Sequence, residues 1–207
     1  MMPRRPRFDE AQILSAAGRL IARHGPSGAT IGAIARSVGA PTGSIYHRFD
    51  SRDVLLGEVW LGAATAFQAA FFERLAAPRP RQGGLAAALY MAHRVRERPD
   101  EARVLLLHRR EDFGDDGWPS AMRHQAEQLG RQVEEEIRAF SSRLCGRQDA
   151  RTVRSVSYAV VDAPFAAVRR HVSAGEDPPP YIDELISVTY RAVIAQLGVS
   201  MKGRSAG

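Results

Sequence analysis

Between Thr30 and Phe49 the apolar residues fall on a helical spacing that stops once and starts again. Ile31, Ile34, Ala35 and Val38 lie at i, i+3, i+4 and i+7, which is one face of a helix. Thr30 stands where an N-cap belongs, because its hydroxyl can accept an otherwise unpaired N–H of the first turn. Gly39 closes the run, since glycine adopts the left-handed conformation of a helix end without a Cβ penalty. A second run starts at Thr42 and ends near Phe49. Ile45 and Phe49, four apart, face back onto the first run, and Thr42, Gly43, Ser44, Tyr46 and His47 are left outward. Two short helices joined by a tight glycine turn predict a helix-turn-helix, whose second helix can enter the major groove of DNA.

The same spacing organises the rest of the chain. Ile13, Leu14, Ala17, Leu20 and Ile21 mark a first helix over 9–24, stopped by Gly25 and Pro26. Ser51 caps a helix that carries Val54, Leu55, Val59, Ala63, Phe67 and Phe71 as far as Leu75, too long to belong to the small head alone. Residues 77–84, APRPRQGG, read as a loop by composition. Further helices are expected over 85–97, 100–112, 119–144, 149–174 and 180–197, with Pro164 bending the fourth of them. No segment alternates with the period of a strand and no repeat is visible. The expectation is therefore an all-α chain: an N-terminal arm and three-helix head over 1–52, a larger helical body over 53–198, and a tail over 199–207.

Composition changes this picture in one respect. The chain has 207 residues, a net charge of +6 and a pI near 10.2, which suits an anionic partner but does not locate it. The distribution does: up to Arg52, eight arginines face three carboxylates, so most of the excess lies with the helix-turn-helix. No apolar run is expected to approach the roughly 20 residues that span a bilayer, and the arginine-rich start has no apolar h-region. The expected location is the cytoplasm, without a membrane partner. A single cysteine, Cys145, excludes an intrachain disulfide and a Cys-x-x-Cys metal pair. The six histidines form no HExxH, Lys202 is the one lysine, and Gly39-Ala-Pro-Thr-Gly-Ser has the wrong spacing for a nucleophile elbow. No catalytic residue, metal or cofactor is expected. The alternative from another class, a helical enzyme or small-molecule carrier with a vestigial head, lacks a catalytic constellation.

Taken together, Thr30, Ile34-Ala35, Val38-Gly39, Gly43-Ser44-Ile45-Tyr46, Phe49, Ser51-Arg52-Asp53 and Leu55 resemble the DNA-binding domain of the tetracycline-repressor (TetR) family of bacterial regulators. The resemblance covers roughly residues 8 to 60. It implies phosphate contacts from Thr30, Ser44, Tyr46, His47 and Arg52, and base approach by Thr42 and Gly43. Arg36, on the polar side of the preceding helix, is a further candidate. The resemblance also implies a homodimer on a palindromic operator, its two recognition helices roughly 34 to 36 Å apart, commonly a repressor released by a small molecule.

For that effector the resemblance implies a cavity in the C-terminal body. Trp60, Phe67, Phe71, Tyr90, His93, His108, Trp118, Met122, Tyr158 and Asp162 are the candidates to line it. Core packing is the alternative for each. For assembly, Tyr181, Ile182, Leu185, Ile186, Val188, Thr189, Val193, Ile194 and Leu197 make the last helix apolar on more than one face, as a helix serving both a core and a subunit interface must be. The interface is expected at Val156, Ala159, Val160, Ala163, Ile186, Thr189, Tyr190, Val193 and Leu197.

Overall fold

The computed structural model describes residues 9–198, and among these there are ten α-helices and no strand, as the all-α expectation requires. They are α1 (Glu10–Gly28), α2 (Ile31–Val38), α3 (Thr42–Tyr46), α4 (Arg52–Leu75), α5 (Pro80–Glu97), α6 (Pro99–Leu106), α7 (Ser120–Cys145), α8 (Ala150–Ser157), α9 (Ala163–Ala174) and α10 (Tyr181–Gln196). They gather into two compact units, one of residues up to Ala64 with Asp100–Glu127, the other of Thr65–Pro99 with residues from Gln128 onward. The expected division at 52/53 does not coincide with this: α4 and α7 each run from one unit into the other. The arm and the tail of the sequence reading lie outside the described residues.

In the first unit, α1 starts at a capping box in which Gln12 N–H donates to Asp9 Oδ1 at 2.7 Å and Asp9 N–H to Gln12 Oε1 at 3.3 Å. Ile13, Ala16, Ala17 and Ile21 are fully buried on its inner face. Gly25, at φ 72°, breaks the helix where expected, and one further turn follows. The segment 100–127 joins this unit through contacts no local pattern announces. Arg103 Nη1 donates to the Ala22 carbonyl at 3.4 Å, and the His108 ring lies where a Cβ on Gly25 would be 3.6 Å away. α6 ends at Leu106, short of the expected 112, and two 3-10 turns, Arg110–Phe113 and Asp115–Gly117, take over. They close on Asp53: a Cβ on Gly114 would be 2.6 Å from its carboxyl carbon. Trp118, buried, donates Nε1–H to the Phe113 carbonyl at 3.3 Å and fills the space over Gly57.

The second unit departs more from the sequence reading. α5 begins at Pro80, inside the expected loop, because proline suits a first helical position whose N–H has no intrahelical partner. Gly83 and Gly84 are helical and buried. A Cβ on Gly83 would lie 2.5 Å from the Arg74 carbonyl oxygen, and one on Gly84 2.2 Å from Tyr190 Oη, so both permit close approach. Tyr190 is fully buried and donates to the Arg81 carbonyl at 3.0 Å; burial pushes its phenol well above its ordinary value. Arg96 grips the start of α10, donating to both Asp183 oxygens at 3.0 and 2.8 Å and to the Pro178 carbonyl at 2.8 Å.

Between α8 and α9 the chain stays helical through a π turn, Tyr158–Asp162, in which Ala163 N–H reaches back to the Tyr158 carbonyl. Pro164 follows at once, and a residue without an N–H is where the ordinary ladder breaks. α4 also corrects an expectation. By length and composition it reaches what a bilayer-spanning helix needs, because alanines and glycines keep it apolar without an unbroken run of large side chains. Of its most apolar stretch 33% is buried, and Leu55, Leu56, Leu61, Phe71 and Leu75 form its packed face.

Candidate nucleic-acid interface

α2 and α3 are positioned by the local signals read from the sequence. Thr30 Oγ1 accepts Ala33 N–H at 3.2 Å, and Gly39, at φ 70° and ψ 29°, returns its N–H to the carbonyls of Ala35 and Arg36. The turn delivers Pro41 to the start of α3. Ile45 at 0% and Phe49 at 3% exposure are driven inward, each burial contributing about 1.5–3 kcal/mol. That fixes the rotation of the helix, and the consequence is an outward Tyr46 at 56% exposure. Thr42, Gly43 and His47 are exposed beside it, and Ser44 is half-buried. Thr30 and Arg36 are exposed on the preceding helix, the Arg36 guanidinium passing beside Gly32. The Thr30 hydroxyl accepts from Ala33 and keeps its own hydrogen to donate.

Arg52 is placed differently. Its Nε donates to the Ala29 carbonyl at 3.1 Å, Nη2 to the Pro26 carbonyl, and Nη1 pairs with Asp53 Oδ1 at 3.2 Å. A guanidinium so occupied is a clamp on the turn that precedes α2, a structural role that the resemblance did not announce. Arg48, which sequence reasoning passed over, donates Nη1–H to the Ser44 carbonyl at 2.8 Å and tethers the end of α3. Its i, i+4 relation to Ser44 was the available signal.

The candidates for an effector cavity fall into both units. Trp60, His108, Trp118 and Met122 belong to the first, where the two tryptophan rings are 6.1 Å apart. Phe67, Phe71 and Tyr90 belong to the second as one aromatic cluster: Phe67 lies 5.1 Å from Tyr90 and 6.4 Å from Phe71, and the Arg74 guanidinium sits 4.1 Å over the Tyr90 ring. His93, Tyr158 and Asp162 stand apart from both groups, for all three are exposed on the chain. His93 Nε2 lies 3.5 Å from Asp183 Oδ2. Tyr158 and Asp162 stand in the π turn, whose extra residue shifts the helical phase on which their inward placement depended.

The expected interface residues divide in the same way. Val156, Ala159, Val160, Ile186 and Tyr190 are buried within the chain and have no surface left to give a partner, which corrects those five. Ala163, Thr189, Val193 and Leu197 are half-buried, the last two lining a hollow of about 180 Å³ with Arg147, Asp149 and Thr152. α10 does carry two stripes. Ile182, Ile186, Tyr190 and Ile194 face the core, while Tyr181, Leu185 and Val188, at 46, 54 and 63% exposure, face out.

Comparison with known proteins agrees with this geometry. Residues 13–59 match the model of the tetR family of bacterial regulatory proteins. Among curated protein sequences none matches the chain at a significant level. Among solved structures, the fatty acid degradation regulator FadR of Bacillus halodurans superposes with a TM-score of 0.69 at 16% identity, covering 96% of this chain and 100% of its own. A TetR-like regulator from Rhodococcus sp. RHA1 gives 0.69 at 18% identity, covering 94% and 99%. FadR of Bacillus subtilis, solved in complex with stearoyl-CoA, gives 0.65 at 14% identity, covering 94% and 100%. At such identities the superpositions speak for the fold, and the family match speaks for the head. With its capped α2, its left-handed Gly39 and its outward Tyr46, the segment at residues 13–59 carries the DNA-binding domain of the tetR family of bacterial regulatory proteins.

Proposed function

We propose that this chain represses transcription as a homodimer on a palindromic operator and is released when a small molecule binds its C-terminal body. The observation that carries the DNA reading is the split between the two faces of α3, with Ile45 and Phe49 buried and Thr42, Tyr46 and His47 presented outward. Hydroxyls and an imidazole at that surface suit phosphate oxygens and base edges, and the arginine excess of the head supplies the attraction. α4, which runs from one unit into the other, is the element that would transmit an effector's presence. Release then follows from the effector's differential affinity for the two states.

The test is a mobility shift on the promoter region beside the chain's own gene, repeated across salt concentrations. Tyr46→Phe and His47→Ala should weaken binding to a similar degree on every sequence, because a lost phosphate contact carries no base information. Wild-type affinities in both variants remove these residues from the phosphate contacts. A ligand screen read by thermal shift, with stearoyl-CoA among the compounds, should find molecules that both stabilise the protein and lower its operator affinity. Stabilisation without a change in operator affinity counts against release.

A further inference from the structure

Among the described residues two buried side-chain polar atoms lack a hydrogen-bond partner, Arg110 Nε and Gln68 Oε1. The first is accounted for by charge, since Asp115 Oδ2 lies 2.8 Å from it. Gln68 is neutral and has no such compensation. Its oxygen is shut off from solvent on α4 with no donor facing it, a condition that costs a protein stability. The position belongs to an apolar stripe. Phe71 and Leu75, three and seven residues on, are buried, and Phe67 beside it lies 5.1 Å from the Tyr90 ring. Leucine or methionine forms helix as well as glutamine does and would fill such a place, so nothing in the fold calls for an amide there.

The charged groups along this stretch of α4 are engaged. Arg74 donates to the Ala70 carbonyl at 2.6 Å and lies over the Tyr90 ring, and Arg143 donates to the Leu75 carbonyl at 2.8 Å. Neither guanidinium is free to take a ligand carboxylate. Glu73 is exposed, so it offers no buried anion to a ligand ammonium.

We infer that Gln68 is the polar anchor of the ligand site in the C-terminal body, and that the ligand is an uncharged, largely apolar molecule bearing a hydroxyl group. This names the chemistry of the effector proposed above and rests on that reading. A hydroxyl donates to Oε1 and, being an acceptor as well, satisfies the amide whichever way it is turned. Phe67, Phe71 and Tyr90 supply the apolar wall against which the rest of the molecule packs. Gln68 as a whole is half-buried, so the anchor lies just below the surface of its unit.

The experiment compares wild type, Gln68→Met and Gln68→Leu by thermal melting, calorimetry and operator mobility shift. The compounds are decanol and 2-naphthol, the carboxylic acids of the same skeletons, and stearoyl-CoA. Without ligand both variants should melt about 2–4 °C above wild type, the gain from removing an unsatisfied buried acceptor in a chain of this size. Their operator affinity without ligand should be that of wild type. Decanol or 2-naphthol should stabilise wild type and bind each variant at least tenfold more weakly, and the matching acid should leave wild type unmoved. The inference is overturned if neither variant melts above wild type, or if both bind the hydroxyl compound as wild type does. It is equally overturned if only the acids or stearoyl-CoA bind, or if no compound does. A hydroxyl compound that binds through Gln68 and leaves operator affinity unchanged upholds the anchor and defeats the release reading instead.

Discussion

The guanidinium of Arg52 is bonded to the carbonyl of Pro26, 26 residues earlier in the chain, and to that of Ala29. The first turn of α4 thus holds the turn from which α2 departs. Lysine cannot reproduce this, because a point charge with rotatable donors does not hold two fixed carbonyls in one plane. Arg52→Lys should lower stability by about 2 kcal/mol, the cost of leaving part-buried carbonyls without their charged donor. Chemical denaturation measures it. Arg52→Gln separates the clamp from a phosphate contact: it removes the charge, so for a residue that only clamps the salt slope of DNA binding should be that of wild type under conditions where both are folded. A slope reduced by about one would return Arg52 to the phosphate list.

Gly84 lies under Tyr190. With Tyr190 Oη 2.2 Å and Phe140 Cζ 2.7 Å from any Cβ placed there, Gly84→Ala must displace a buried aromatic that is also hydrogen-bonded to Arg81. The expected cost is about 1–3 kcal/mol, the range for overpacking a well-filled core. Tyr190→Phe removes the nearest atom, so the double variant should lose less than the two single losses added together. Additive losses in a double-mutant cycle would mean that the two positions are not in contact.

These two examples mark what was legible in the sequence. The helix-turn-helix was, because each of its determinants acts within four residues: Thr30 on Ala33, Gly39 on Ala35, Ile45 beside Phe49. Gly83-Gly84 was misread as loop because the reason for Gly84 is Tyr190, more than a hundred residues away, and the reason for Gly83 is the Arg74 carbonyl at the end of the preceding helix. Arg52 matched a family position, and only the fold shows the Pro26 and Ala29 carbonyls that occupy it. That α10 had two apolar stripes could be read, but not which one faced in. Tyr158 and Asp162 were lost to a π turn that no helical period predicts.

His108 gives the first unit an acid sensitivity. Burial against the end of α1 and the edge of Phe113 holds its pKa below the ordinary 6.5, with Asp112 opposing weakly. A depressed pKa means that the unfolded chain binds the proton more readily. The contribution of this residue to stability is therefore complete above pH 6.5 and is lost as pH falls from there through the lower folded value. The melting temperature should decline between pH 7.5 and 5.5 by more in wild type than in His108→Gln. Parallel declines in the two proteins would place the acid sensitivity elsewhere.

The outward stripe of α10 is the surface on which the dimer reading can be tested without touching the core. Tyr181, Leu185 and Val188 succeed one another at four and three residues, so they lie along one face, and all three are exposed on the single chain. The inner stripe, with Ile186 and Tyr190, is separate, and charges introduced on the outer one need not disturb it. Leu185→Arg with Val188→Arg places four like charges at a two-fold interface built from this face, and repulsion with lost apolar contact should shift the protein to monomer. Sedimentation velocity reads the change, and circular dichroism should show helix content retained. Because each half-site is then held by one head alone, operator affinity should fall at least a hundredfold while binding to a single half-site stays near wild type. A double-arginine variant that sediments as a dimer would place the interface on another face, and α10 would be left with an exposed apolar stripe of another purpose.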